Sequence, residues 1–147
     1  MEPRQSLPEQ WLIVDSALSE NAVRRLTLGS GVLVLGELSA GEGRRLKRLA
    51  KARGLTMVAE GRTAVRVHNL RELRRALLMR TPLVLLSPIH PTGSHPDWQP
   101  LPRMRAAALA RLGGRRLLAL GGMDPRKFAR IKALGFQGWA GIRAFRT

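Results

Sequence analysis

The chain has 147 residues, 26 Lys and Arg against 10 Asp and Glu, and a formal net charge of +16. It contains no cysteine, which excludes disulfides, thiolate nucleophiles and cysteine-held metals, and its three histidines (His68, His90, His95) lack the spacing of a structural zinc site. A hydrophobic fraction of 44% suffices for a real core, and no apolar run approaches the ~18 to 20 residues that span a bilayer.

Taken in order, short apolar runs alternate with helical patterns. Trp11–Asp15 (WLIVD) reads as the first strand, and Ser19 as the cap of a short helix through about Thr27, closed by the Gly29-Ser30-Gly31 turn. Val32–Leu35 (VLVL) is a second strand. Ser39 to Arg53 has helical period, with Leu46, Leu49, Ala50 and Arg53 on one face and Arg44, Arg45, Lys47, Arg48 and Lys51 elsewhere. Gly54 suits a left-handed exit from that helix. Leu55–Ala59 is a third strand and Ala64–Val67 a fourth extended run. Asn69 and Glu72 form a capping box for a helix to about Met79, which Pro82 stops. Leu83–Leu86 (LVLL) is apolar throughout, as a strand covered on both faces should be. A polar loop then leads to an alanine-rich helix, Arg103–Leu112, and a strand, Arg116–Leu120. Asp124-Pro125 caps the last helix, whose buried face is Phe128, Ile131 and Leu134, before the strand Gly138–Ile142.

Strands alternating with helices predict right-handed crossovers and a parallel sheet in a single α/β domain over 1–147. One interval breaks the pattern. A parallel crossover needs about a dozen residues, so Glu60–Thr63 can form only a hairpin turn or a kink in one continuous strand. The count is then about seven strands, short of the roughly 200 residues of a regular eight-unit barrel. The expected fold is TIM-barrel-like but shortened, with one β–α unit missing after the third strand.

In such folds the site lies where strand C-termini meet their loops. Three loops qualify. Ser87–Pro96 offers hydroxyls, small residues and His95 to phosphate oxygens. Gly121-Gly122 permits close approach to the backbone at the start of a helix. Gly141-Ile142-Arg143 ends the last strand. The first of these, Pro88–Pro96, is the strongest candidate within the repeated units from Val65 to Thr147.

The series VHNLREL (Val67–Leu73), LLSPIHPTGSHP (Leu85–Pro96), LALGGM (Leu118–Met123) and GFQGWAGIRAF (Gly135–Phe145) resembles the second half of the thiamine phosphate synthase/TenI family. The resemblance implies a (β/α)8 barrel. It also implies a transferase that joins a hydroxymethylpyrimidine pyrophosphate to a thiazole phosphate with Mg²⁺, or a TenI-type accessory enzyme of thiamine biosynthesis. By motif, Thr92 and Ser94 would hold phosphate oxygens, Gly121 and Gly122 would contact the thiazole phosphate through the backbone, His95 stands at the family's lysine, and Gly141 and Arg143 lie in its closing segment. The first half resembles the family in layout alone. The pyrophosphate-binding Q-x-R-x-K is absent, since Leu33–Leu38 supplies only Glu37, and Ala59-Glu60 replaces an Asn-Asp whose aspartate holds the metal. Glu60 is left as a lone candidate Mg²⁺ ligand.

The expectation is therefore a cytoplasmic protein that binds a thiazole phosphate or thiamine phosphate, with transferase activity weakened or lost. The alternative is a non-catalytic oligomer on a degenerate TenI fold, paired through strand edges near Leu55–Val67. Nucleic-acid binding ranks last: the charge is spread along the chain, and three Trp, three Phe and no Tyr make few stacking parts.

Overall fold

The computed structural model describes residues 7–15, 20–90 and 99–145. It contains seven strands, β1 (Gln10–Val14), β2 (Gly31–Val34), β3 (Thr56–Ala59), β4 (Ala64–Val67), β5 (Leu83–Leu86), β6 (Leu117–Leu120) and β7 (Gly138–Gly141), each within a residue of its expected bounds. The helices are α1 (Glu20–Arg24), α2 (Ala40–Arg53), α3 (Leu70–Leu78), α4 (Arg103–Gly113) and α5 (Pro125–Ile131).

Local chemistry sets the helix ends. Ser39 accepts from the Glu42 amide, Asn69 from that of Glu72 and Asp124 from that of Lys127, while Gly54 leaves α2 at φ 67. Each cap satisfies a donor that the helix cannot. Arg53, on the inner face of α2, donates to the Leu26 carbonyl at 2.8 Å.

All ladders are parallel, in the order β3-β2-β1-β7-β6-β5-β4. This is the cyclic order of a barrel with a gap between β3 and β4. The sheet curves far enough for Ala64 of edge strand β4 to share an interior cluster with Trp11, Ile13 and Leu33 of β1 and β2, together with Leu83, Leu85, Leu118 and Ala140. The result is a nearly closed TIM-like barrel. Trp11 is its largest interior side chain and is fully buried, its indole N–H bonded to the Pro8 carbonyl at 2.8 Å. Small neighbours in register, Gly31 on β2 and Ala140 on β7, make the room. Outside the barrel, two clusters join helices to sheet: one under α1 and α2, the other under α3, α4 and α5. Phe145 packs against both and stacks on Trp139, ring centroids 5.3 Å apart.

The missing unit falls where spacing placed it. Residues 60–63 form a turn in which the Gly61 amide donates to Ala64 O at 2.8 Å and the Thr63 hydroxyl to Ala59 O at 2.9 Å. Neither expected form is quite right. β3 and β4 are separate strands on opposite edges of the sheet, and no ladder joins them.

Candidate functional site

The C-terminal ends of β5, β6 and β7 converge. Beyond β5, the Ile89 amide donates to Leu120 O at 3.0 Å and the His90 amide to Gly121 O at 3.1 Å, so the loop runs alongside the end of β6. Gly121 is buried at φ 111, and a Cβ there would come within 3.0 Å of the Ile89 nitrogen and the Pro88 Cα. Gly141, at the end of β7, is equally tight: a Cβ would meet Met123 O at 3.2 Å. Glycine at these two positions lets strand ends pack together, an additional reason for the residue beyond approach to a ligand. Gly122, at φ 58, is half-buried beside them. Neither Gly121 nor Gly122 donates its amide to an acceptor among the described residues.

Thr92, Ser94 and His95 lie outside the described residues, as does the side chain of Arg143. Gly121, Gly122 and Gly141 are brought together.

The start of α5 is less open to an anion than the sequence suggested. Pro125 has no amide hydrogen, and the Lys127 amide is taken by the Asp124 side chain at 2.8 Å. A different source of positive charge replaces it. Lys127 folds its ammonium back to Gly122 O at 3.0 Å, which places a cation in the first turn, against the helix dipole, at the glycine turn itself. His90 stands beside the same turn. Burial, then Lys127, hold its imidazole below the ordinary pKa of 6.5, Arg130 adding to the effect and Asp124 opposing it. Sequence reasoning did not single out His90 or Lys127. Their signals were position alone: His90 inside the loop after β5, and Lys127 one helical turn after Gly122.

The Mg²⁺ that the resemblance implies does not fit the carboxylates present. Glu60 is held by Arg66, with Nε to Oε2 at 2.7 Å and an Nη2 bond to Oε1 at 3.1 Å. Both of its oxygens are therefore engaged by a guanidinium. Among the described residues no group of three or more His, Asp or Glu could hold a metal.

An open cleft of about 440 Å³ between α1 and α2 is lined by Glu20, Arg24, Arg45, Arg48, Leu49 and Ala52. Glu20 lies 3.9 Å from Arg24 and 4.0 Å from Arg45, which offsets part of its charge, and both arginines are well exposed. This is the solvated face of α2, remote in sequence from the strand ends. No helix among the described residues is long and apolar enough to cross a membrane.

The family model for thiamine monophosphate synthase matches residues 43–145. A crystal structure of thiamine phosphate pyrophosphorylase from Bacteroides thetaiotaomicron is similar in fold, with a TM-score of 0.60 at 14% identity over 93% of this chain and 83% of that one. Among proteins of curated function none matches. With the match spanning more than half of the sequence, from α2 to the stacked Phe145, the chain belongs to the thiamine monophosphate synthase (TenI) family.

Proposed function

We propose that the chain binds a phosphorylated thiazole or thiamine phosphate at the ends of β5, β6 and β7, and that its transferase activity is weakened or lost. The observation that carries this reading is the convergence of those three ends, where Gly121 packs on Pro88–Ile89, Gly141 on Met123, and the ammonium of Lys127 sits on Gly122. Backbone amides that lack a protein acceptor, next to fixed cations, are what a phosphate monoester requires. Thr92, Ser94, His95 and Arg143 complete the phosphate contacts in this reading, as the motif implies.

The reaction of the family demands more than phosphate binding. Expelling pyrophosphate needs its developing charge met by a metal and fixed cations. Here Glu60 is committed to Arg66 and the segment 33–38 supplies one charged residue, an acid. No catalytic step through a metal follows from these residues. Titration calorimetry with thiazole phosphate and thiamine phosphate tests the binding claim; absence of heat with both at millimolar ligand removes it.

One observation favours a second reading, a non-catalytic oligomer. The Thr56 and Glu60 amides bond to β2, so Met57 and Ala59 face the open edge, while on β4 the bonds at Thr63 and Val67 leave Ala64 and Arg66 facing outward. The Ala59 and Ala64 carbonyls are already taken by the Thr63 hydroxyl and the Gly61 amide, so the open-edge groups are chiefly those of Met57 and Arg66, and these favour pairing with a second copy of the chain. A monomeric mass by light scattering at micromolar concentration counts against it.

A further inference from the structure

His90 carries a polar atom that has no partner among the described residues. Its main chain is pinned, since the His90 amide bonds to Gly121 O and the preceding Ile89 amide to Leu120 O. The Cα of His90 is therefore held beside the glycine turn. The imidazole Nε2 is buried and has no hydrogen-bond partner among the described residues. Buried polar nitrogens are nearly always bonded, and an exception calls for a reason.

The surroundings say which kind of partner is wanted. Among the described residues, the charged groups acting on the imidazole all belong to α5 or its cap: Lys127 and Arg130 within the helix, and Asp124 at its N-terminus. Two of the three are cations. Lys127 is fixed at the turn by its bond to Gly122 O, and Asp124 has one carboxylate oxygen occupied by the Lys127 amide. A nitrogen without a partner, in a locally positive setting beside backbone amides that have no acceptor among the described residues, suits an anion with several acceptor oxygens. We propose that His90 Nε2 donates a hydrogen bond to the phosphate of the bound ligand, with Lys127 as the neighbouring counter-charge. This rests on the ligand reading above and names a phosphate contact that the motif did not assign.

A consequence is proton-coupled binding. In the free protein, burial and the α5 cations disfavour protonation of the imidazole. A phosphate dianion at Nε2 reverses the sign of the local field and favours the imidazolium. Binding therefore takes up a proton and tightens as pH falls through the raised midpoint of the bound state toward the lowered midpoint of the free protein.

The test is a pH titration of the histidine imidazole signals by NMR, in the protein alone and with inorganic phosphate and then thiazole phosphate. His90 is assigned by the loss of its signal in His90→Gln. The expected result is a rise of about one unit in the His90 midpoint with either anion. Affinity for thiazole phosphate should fall about tenfold in His90→Gln at pH 6.5 and less at pH 8.5. A midpoint that moves with inorganic phosphate while thiazole phosphate fails to bind keeps the His90 contact and removes the ligand reading. Tight thiazole phosphate binding with an unmoved midpoint does the reverse. A midpoint indifferent to both anions overturns the His90 proposal.

Discussion

The amide of His90 donates to the carbonyl of Gly121 at 3.1 Å, and through that bond the loop after β5 is held against the end of β6. The contact is close because Gly121 has no side chain and sits at φ 111. Gly121→Val should cost about 1–3 kcal/mol, because the new side chain adopts a strained backbone conformation and pushes on Pro88 and Ile89. Chemical denaturation measures the stability, and binding of thiazole phosphate should fall along with it. Gly29→Ala, also at positive φ but with open space around its Cα, should cost less and leave binding intact.

The barrel interior gives a second prediction. Trp11 occupies the volume that Gly31 leaves empty in the adjacent strand, and a Cβ on Gly31 would overlap the indole ring. Gly31→Val should destabilise by several kcal/mol, at or above the ~1–3 kcal/mol usual for overpacking, because both partners are fully enclosed. A red shift in tryptophan fluorescence under native conditions would report the displaced ring.

The helix caps are independent of the site and serve as controls. Asn69→Ala removes the bond to the Glu72 amide at 2.9 Å and should cost about 1 kcal/mol by denaturation, with no change in ligand affinity.

His90 makes stability depend on pH. Its folded-state pKa lies below the ordinary 6.5, burial being the first cause. As pH falls through 6.5 the unfolded chain takes up the proton first, so stability contributed by the neutral imidazole is present above that value and is lost as pH falls toward the folded pKa. His90→Gln should flatten the difference in unfolding midpoint between pH 7.5 and pH 5.5 relative to the parent chain. An equal slope in both proteins would show that other groups carry the dependence.

Much of this architecture is legible in the residues themselves. The strands announce themselves as short apolar runs between Gly, Pro and capping residues, and burial on both faces makes Leu83–Leu86 wholly apolar. The deletion was legible because four residues between Ala59 and Ala64 cannot hold a crossover helix. The pairing of Gly31 with Trp11 was not, since it depends on the register of β1 against β2. The same holds for the site. Gly121, Gly122 and Gly141 stood out as glycines at strand ends, but the seating of Lys127 on Gly122 and the buried nitrogen of His90, without a partner among the described residues, depend on side-chain placement that spacing does not reveal. Glu60 illustrates the converse: a carboxylate in a turn reads as a candidate ligand until Arg66, two residues into β4, is seen to hold it.

A further prediction concerns the metal. Binding of thiazole phosphate should be the same in Mg²⁺ and in EDTA, because the phosphate end of the site draws its charge from Lys127 and the neighbouring backbone. Glu60→Gln should leave that affinity unchanged and alter stability by about 1 kcal/mol or less, the ordinary scale of an exposed ion pair. Calorimetry in the two buffers decides this, and a loss of binding in EDTA would restore a metal to the account.

The most direct measurement is a crystal structure of the chain grown with thiazole phosphate. Phosphate density within hydrogen-bond distance of the Gly122 amide and His90 Nε2, at the ends of β5, β6 and β7, is the predicted result. Ligand density elsewhere, as in the cleft between α1 and α2, or none at ligand concentrations that saturate binding in solution, would contradict the account.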